Sequence, residues 1–372
     1  MPIKVRQVTG RRELRKFLGL PERLNRSREG WVPPLRAEER RFLEPAKNPA
    51  FSYCDCTLVL AYRDGRAVGR IIGIVNRRYN ELRNERTARF SHLECIEDQE
   101  VAHGLLGYVE RWAAERGMNR VIGPMGFTDQ DPEGFLVEGF GEETALASNQ
   151  NPEYLVRLVE AAGYDKHADY VVYRIPVPEE LPEFYRRISQ RTLRRGIFTL
   201  LEFDRRRALK PFVRPILELM NETYGDLVGF SPLDDDEMDD LTRRYLPVID
   251  PRFVKIVMAH GQPAGFIVGI PNLNEGLRRA KGRLLPLGWL KIVRAAKRAR
   301  RLDLLLGGIK EEFRGRGIDV LLGSAMIRSA REAGFEYMDS HHELESNYRV
   351  RAEMERMGGR VYKRYRIFQR RL

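Results

Sequence analysis

This 372-residue chain contains an internal repeat, which limits the folds that it can adopt. Residues 59–76 read VLAYRDGRAVGRIIGIVN and residues 255–272 read KIVMAHGQPAGFIVGIPN. At an offset of 196 residues, three glycines, two isoleucines and an asparagine coincide. In each copy, residues that favour β-structure flank a glycine, Gly65 or Gly261, which supplies the positive φ of a tight turn. Each copy therefore predicts a β-hairpin.

The same offset extends well beyond the hairpins. It relates Asn151 to Asn347 and Gly163 to Gly359. Between each Asn and Gly the apolar residues follow a helical period, and a strand rich in tyrosine comes next. A repeat kept over this length indicates two copies of one α/β unit.

The joint between the copies is marked by proline. Three prolines crowd residues 176–182, which interrupts both strand and helix. We therefore predict an N-terminal domain over residues 1–178 and a C-terminal domain over residues 179–372, each of ordinary domain size. With 42% hydrophobic and 32% charged residues, the chain has the composition of a folded protein and not of a disordered one.

Several classes of protein are excluded by what the chain lacks. The first 14 residues are charged and contain no apolar core of a signal peptide, so we expect a cytoplasmic protein. No run of 18 apolar residues predicts a transmembrane helix. The three cysteines cannot build a disulfide framework, and no Cys and His set has zinc spacing, so we expect no metal.

The second copy contains a loop that the first lacks. Residues 303–309 predict a buried strand, and the apolar period from Ile318 predicts a helix that ends at Gly334. Between them lies Arg-Gly-Arg-Gly, residues 314–317. A glycine-rich turn into a helix presents unpaired N–H groups at the positive end of the helix dipole. This turn therefore predicts a site for phosphate or pyrophosphate.

The order of these elements resembles the GNAT superfamily of acyl-CoA N-acyltransferases. Strand, Arg-Gly-Arg-Gly turn, helix, strand and a helix after Asn347 carry the resemblance over residues 253–368, and the repeat extends it in weaker form to residues 3–175. The resemblance implies two tandem GNAT-like domains of the α/β class (α+β sandwich type), each a mixed, mostly antiparallel sheet flanked by helices. It also implies transfer of an acyl group from a CoA thioester to a primary amine by direct attack.

The resemblance further implies one binding site for acetyl-CoA or a longer acyl-CoA. Its turn would hold the pyrophosphate, and the preceding strand would align the pantetheine arm and offer N–H groups to the thioester oxygen. The implied residues are Ile309, Lys310, Glu311, Arg314, Gly315, Arg316, Gly317, Ile318, Asp319 and Asn347. At Asp319 the family has Gly or Ala. In the first copy, acidic residues stand at the equivalent turn.

The candidate bases lie on the next predicted strand, residues 336–345. Strand alternation places His341, Glu343 and Glu345 on one face and His342 on the other. We expect His341 and Glu343 to accept the amine proton. Many GNAT members supply the leaving-group proton from a tyrosine seven residues after the Asn.

In this chain that position is Met354. Tyr348, Tyr362 and Tyr365 are near in sequence, but none can be assigned as the acid. Protonation of the thiolate by water is the other route.

A second acidic cluster lies in the glycine-rich residues 126–140 of the first copy. Asp129, Asp131 and Glu133 resemble the start of a calcium loop, but Pro132 and the absence of a closing Glu argue against one. Two interpretations stay open: a pocket for a cationic, partly apolar amine, or a surface loop without a ligand.

A basic segment accounts for most of the net charge. Residues 278–301 contain ten basic and no acidic residues, out of a net charge of +12. From Leu287 the period is helical, with the apolar residues Trp289, Ile292, Val293, Ala296 and Ala299 on one side and the basic residues Lys291, Arg294, Lys297, Arg298 and Arg301 on the other. This pattern is typical of a helix that lies on an anionic membrane. It also suits RNA, which we favour less, and a helix packed on its own domain.

The basic segment separates the functions that the resemblance leaves open. A membrane contact favours long-chain acyl transfer to a lipid amine, and the layout is similar to the GNAT-type bacterial ceramide synthases, which acylate a sphingoid base. RNA binding favours a Fem-like, tRNA-dependent aminoacyltransferase, although such proteins do not need an intact CoA turn. A non-enzymatic GNAT-like binding protein is the third alternative. The acceptor and the acyl-chain length are not encoded in any motif of the sequence.

Overall fold

The computed structural model describes residues 2–145 and 147–372. In these described residues the strands are β1 (Lys4–Gln7), β2 (Cys54–Arg63), β3 (Arg66–Asn76), β4 (Thr87–Cys95), β5 (Arg120–Gly123), β6 (Phe135–Glu138), β7 (Asp165–Pro176), β8 (Phe198–Glu202), β9 (Val254–Ala259), β10 (Gln262–Pro271), β11 (Arg301–Ile309), β12 (Tyr337–Asp339), β13 (Glu343–Leu344) and β14 (Arg360–Arg371). The α-helices are α1 (Arg11–Asn25), α2 (Arg36–Phe42), α3 (Arg77–Arg83), α4 (Gln99–Ala114), α5 (Glu153–Ala161), α6 (Glu183–Arg194), α7 (Arg206–Thr223), α8 (Asp235–Tyr245), α9 (Asn274–Ala280), α10 (Gly288–Ala296), α11 (Ile318–Glu332) and α12 (Tyr348–Arg356).

The two predicted hairpins, β2–β3 and β9–β10, are confirmed and have the same turn. Asp64 and Gly65 have φ angles of 51° and 74°, and His260 and Gly261 have φ angles of 51° and 78°. Positive φ at both central residues defines a type I′ turn, whose twist matches that of the flanking strands. The tyrosine-rich closing strands are confirmed as β7 and β14.

All strands join one continuous sheet. Its order is β1-β2-β3-β4-β5-β14-β7-β12-β11-β10-β9-β8, with β6 beside β14 and β13 beside β7. The β4–β5 and β11–β12 pairs are parallel, and the other pairs are antiparallel. The sheet is thus mixed and mostly antiparallel, as predicted for this α/β fold.

The two halves exchange their closing strands. β14, from the second half, lies between β5 and β7 of the first half, and β7 lies between β14 and β12 of the second half. β7 and β14 pair antiparallel, with Asp165 opposite Gln369 at one end and Arg174 opposite Arg360 at the other. The predicted boundary between residues 178 and 179 lies in the connection from β7 to α6 and stays a prediction.

Helices cover both faces of each half of the sheet. In the first half, α4 and α5 pack on one face and α1 packs on the other. In the second half, α11 packs on one face and α7 on the other. This layering buries apolar side chains of the hairpin strands, β2–β3 and β9–β10.

The parallel pair β11–β12 separates after three residues. The two strands are paired from residues 301 and 337 to residues 303 and 339. Beyond that point, Leu304–Ile309 keeps only β10 as a neighbour, and the register shifts at a bulge next to Leu304. An open edge of β11 therefore faces the space between the diverging strands.

The predicted strand over residues 336–345 is wrong, because the chain divides there into β12 and β13. The cause is the side chain of Ser340, which replaces a backbone partner. Its Oγ accepts the N–H of Tyr173 at 3.0 Å, while its own N–H donates to the Tyr173 carbonyl at 2.8 Å. This local rearrangement turns the following residues away from strand geometry.

Candidate acyl-CoA site

The Arg-Gly-Arg-Gly turn connects β11 to α11, as predicted. Gly315 and Gly317 have φ angles of 71° and 89°, a region that favours glycine. A Cβ on Gly317 would lie 2.4 Å from Oγ1 of Thr192 on α6, whereas the space around Gly315 is open. Gly317 is thus required by both its backbone and its neighbour.

The turn presents a set of unpaired backbone N–H groups. The helix hydrogen bonds begin with Leu321, whose N–H donates to the Gly317 carbonyl at 3.0 Å. Among the residues that the structure describes, no acceptor meets the N–H groups of residues 315–320. The exposed side chains of Arg314 and Arg316 lie beside them. This arrangement fits a pyrophosphate group.

The unusual Asp319 does not break this pattern. Its carboxyl group approaches Glu353 on α12, and burial together with the Asp319 charge raises the pKa of Glu353. Ile318 is buried in the core beneath the turn. Asn347 caps α12, with its Oδ1 accepting the Val350 N–H at 3.4 Å.

The first half has a closed equivalent of this turn. Asp98 caps α4, accepting the Val101 N–H at 3.1 Å. The same carboxylate forms an ion pair with Arg63, which lowers the pKa of Asp98. A carboxylate therefore occupies the helix terminus where a phosphate would bind in the second half.

Only one of the three residues expected along the pantetheine arm lies in β11. Ile309 is the last residue of β11, and Glu311 begins a single helical turn, Glu311–Phe313. The Lys310 N–H donates to the Ala264 carbonyl at 2.9 Å, and its Nζ lies 3.0 Å from a Glu222 carboxyl oxygen. The free edge of the strand, Leu304–Ile309, therefore includes Ile309 but neither Lys310 nor Glu311.

Tyr224, at the end of α7, contacts that free edge. Its hydroxyl accepts the Gly307 N–H and donates to the Gly307 carbonyl, both at 3.1 Å. Burial and the carboxylates of Asp129 and Glu343 raise the pKa of Tyr224. Sequence reasoning missed this residue, because its position depends on how α7 packs across the sheet, and no motif surrounds it.

The two histidines lie side by side, not on opposite faces as alternation predicts. Their ring centroids are 4.9 Å apart. Nε2 of His342 lies 2.9 Å from Oγ of Ser148 in the first half, and its ring lies over Tyr365. Burial lowers the pKa of His341 to about 4, so this imidazole is neutral at pH 7.

Glu343 and Glu345 have different surroundings. No hydrogen-bond or ion-pair partner of the Glu343 carboxyl is found in the described part of the chain, and burial raises its pKa to about 8. Glu345 pairs with Lys166 and Arg364, which lower its pKa. Of these two carboxyl groups, only that of Glu343 is unpaired and titrates near neutral pH, and it accepts a proton once it is ionised.

The acidic loop of the first half reaches the same region. Burial raises the pKa of Asp129 to about 7. The charge of Asp129, like that of Glu343, raises the pKa of Tyr224. Glu133 is buried and hydrogen-bonds to Tyr170, whose ring lies 5.6 Å from that of His342. The carboxyl groups, the tyrosines and the histidines thus lie near one another where the two halves meet.

The basic segment forms two short helices, α9 and α10. They pack closely, since a Cβ on Gly276 would lie 2.6 Å from the Cα of Ile292. The prediction that Arg301 lies on the basic helix face is wrong. Arg301 begins β11, is buried, and forms ion pairs with Asp303 and Asp339.

Four large apolar side chains of this segment are exposed. Leu285 is 79% exposed and Leu287 is 59% exposed. Trp289 and Val293 on α10 are each about half exposed, at 49% and 45%. The α9–α10 segment therefore combines an uncovered apolar strip with a basic surface.

Two features are absent from the described residues. No group of three or more His, Cys, Asp or Glu side chains there could hold a metal ion. No helix there is long and apolar enough to cross a membrane.

Comparisons with known proteins identify relatives along the full chain. The chain is 31% identical over 373 residues to "Bacterial ceramide synthase" of Caulobacter vibrioides, covering 97% of this chain and 95% of that protein. It is 25% identical to "Protein YghO" of Escherichia coli, over 99% of this chain and 95% of that protein. No family model matches the chain.

A solved structure has the same fold. It is a tandem GNAT protein from the clavulanic acid biosynthesis pathway, with a TM-score of 0.56 and 11% sequence identity. The match covers 99% of this chain and 98% of the other. At this identity the likeness establishes the tandem fold alone.

Proposed function

The chain belongs to the bacterial ceramide synthase family of tandem GNAT proteins, and we propose that it transfers an acyl group from acyl-CoA to the primary amine of a sphingoid-type lipid. The observation that carries the proposal is the set of unpaired N–H groups at residues 315–320 beside the open edge of β11. Acylation of a sphingoid amine yields a ceramide-type amide, which is the product that the name of the Caulobacter relative denotes.

The second half would hold the acyl-CoA. Its pyrophosphate would accept hydrogen bonds from the turn, and Arg314 and Arg316 would neutralise its charge. The acyl arm would lie along Leu304–Ile309, which has lost its strand neighbour. A tRNA-dependent aminoacyltransferase would leave this turn without a role.

Proton transfers accompany the reaction. The ammonium group loses a proton, for which we assign Glu343, with the neutral His341 as the second acceptor. The amine nitrogen then forms a bond to the thioester carbon, the carbon–sulfur bond breaks, and the nitrogen loses its second proton. The departing thiolate takes the phenol proton of Tyr224, which contacts the open edge of β11, and the nitrogen's second proton restores the phenol.

Thermal-shift titration tests the CoA site. We expect CoA, acetyl-CoA and palmitoyl-CoA to raise the melting temperature, because a ligand that binds only the folded state stabilises it. Palmitoyl-CoA should give the largest shift. Replacing both Arg314 and Arg316 with Glu should reduce all three shifts at least threefold, because it places negative charge beside the pyrophosphate.

The control is Arg205→Glu, an 83% exposed position at the start of α7, where the shifts should not change. Gly317 is unsuitable for this test because any side chain there would overlap Thr192. If none of the three ligands stabilises the protein, the enzymatic proposal fails and a non-enzymatic binding protein is favoured.

The α9–α10 segment would bring the enzyme to an anionic membrane surface, where long-chain substrates reside. A fully buried large apolar side chain contributes about 1.5–3 kcal/mol, and a basic residue near an anionic surface contributes about 1 kcal/mol. Leu285, Leu287 and Trp289 supply the first contribution. Lys291 and Arg294, exposed on α10, supply part of the second.

Vesicle flotation tests this surface. We expect the protein to float with phosphatidylglycerol-containing vesicles and much less with pure phosphatidylcholine. The double variant Leu285→Glu, Trp289→Glu should reduce the bound fraction at least tenfold. Val248→Glu, which changes a 60% exposed apolar residue outside the segment, is the control. Equal flotation of the double variant and the wild type would contradict the membrane contact.

A further inference from the structure

The carboxyl groups of the 126–134 loop lack cationic partners. In the described part of the chain, no Lys, Arg or His nitrogen lies within 4.0 Å of the carboxyl oxygens of Asp129, Asp131 or Glu133. The nearby Arg89 is 1% exposed, and its guanidinium donates to the carbonyls of Gly126, Phe127 and Gly229. Its hydrogen bonds therefore fix the loop and do not pair the carboxylates.

Two of these groups have an oxygen with no partner. Glu133 is only 7% exposed, and its Oε2 has no hydrogen-bond partner among the described residues. Oδ1 of Asp129 is likewise buried without a partner. Leaving a buried carboxylate oxygen unpaired is costly, which indicates that these two oxygens have room for a donor that the described residues do not supply.

The third carboxylate has a structural role. Oδ2 of Asp131 accepts the Thr128 N–H at 3.2 Å, and Asp131 packs so closely on Gly126 that a Cβ there would lie 2.3 Å away. Asp131 therefore holds the loop closed, while Glu133 hydrogen-bonds to Tyr170 and Asp129 lies near Tyr224.

We infer that Asp129 and Glu133, from the half without a CoA turn, bind the ammonium group of the acceptor amine. An ammonium group carries the positive charge and the N–H donors that the two unpaired oxygens lack. The described carboxylates do not form a metal-binding group, so an organic cation is the ligand class. This inference rests on the proposed function, for which it assigns the acceptor site to the first half and the donor site to the second.

The site also places the amine next to the reaction centre. Tyr224 contacts Gly307 on the open edge of β11 and interacts with both Asp129 and Glu343. An ammonium group held by Asp129 would thus lie near Tyr224, as the base Glu343 does. Burial raises the pKa of Asp129 to about 7, and a bound cation would favour its ionised form.

The test is binding of a long-chain amine without acyl-CoA. Sphinganine is added to the full-length protein in a thermal-shift titration, and the matching long-chain diol without the amine is the ligand control. We expect stabilisation by sphinganine and little by the diol. Glu133→Gln and, as a second variant, Asp129→Asn should each raise the half-saturating sphinganine concentration at least tenfold.

Asp131→Asn is the matched control, since it removes one charge from the same loop but keeps an acceptor for the Thr128 N–H. It should change that concentration less than threefold. The CoA response of every variant should equal that of the wild type, which shows that it is folded. An unchanged sphinganine response in both Glu133→Gln and Asp129→Asn would overturn the inference while leaving the proposed function intact. If CoA does not stabilise the wild-type protein, the proposed function is overturned instead.

Discussion

Replacing Glu343 with Gln is expected to lower kcat by at least about a hundredfold, because a general base contributes roughly that much or more. The amide cannot accept the ammonium proton, yet it has nearly the same size and keeps the hydrogen-bonding oxygen. The measurement is the rate of CoA thiol release with palmitoyl-CoA and sphinganine. CoA should still stabilise the variant.

The pH dependence gives an independent readout of the same residue. Glu343 must be ionised to accept a proton, and burial raises its pKa to about 8. In the wild type, kcat/KM should therefore rise with pH through about 8 and fall as the pH decreases below it. The inflection that belongs to Glu343 should be absent from Glu343→Gln.

Glu345→Gln is the control for both experiments. Glu345 is two residues away but pairs with Lys166 and Arg364, so its loss should change kcat less than threefold. If Glu343→Gln keeps most of the wild-type rate, Glu343 is not the base and His341 becomes the candidate.

Separating the halves is expected to abolish folding of each. Residues 179–372 alone lack β7, which lies between β12 and β14, and residues 1–178 alone lack β14 beside β5. Each fragment would expose long unpaired strand edges, which promote aggregation. We expect neither fragment to show a cooperative thermal transition in circular dichroism.

Co-expression of the two fragments should restore a complex that elutes as one species and responds to CoA. A full-length chain with a protease site inserted between residues 177 and 182 is the control, since cutting it should leave both halves associated. A stable, CoA-responsive 179–372 fragment would show that the exchanged strand is not required.

The sequence predicts the features that depend on neighbouring residues. Gly65, Gly261 and the 314–317 turn are positions where a local conformation requires glycine, and the structure has the expected turns there. The repeat also predicts the order of hairpin, helix and closing strand. It could not predict the exchange of β7 and β14, because a repeat gives the order of elements along the chain and not which strands pair.

The offset of 196 residues stays nearly constant because two differences in the length of connecting segments nearly cancel. The second half has residues 272–300 between its hairpin and its next strand, where the first half has only residues 77–86. Later, residues 124–152 of the first half correspond to only residues 340–347. The first insertion contains the α9–α10 segment, and the second contains the carboxylates assigned to the amine.

The remaining site residues are brought together only by tertiary packing. Tyr224 and Glu133 are far from Glu343 in sequence, and no spacing relates them. The strand prediction over residues 336–345 failed because a side-chain oxygen, that of Ser340, took the place of a ladder partner. Alternation of apolar and polar residues does not indicate where a side chain takes the place of a backbone hydrogen-bond partner.

The position of β14 affects how the protein is made. In chain order β14 follows every other strand, but in space it fills the middle of the sheet. During synthesis, β5 and β7 therefore emerge from the ribosome long before the strand that pairs with both. The nascent first half must therefore avoid aggregation while the second half is synthesised. Pairing of β14 with β5 and β7 is the step that completes both halves.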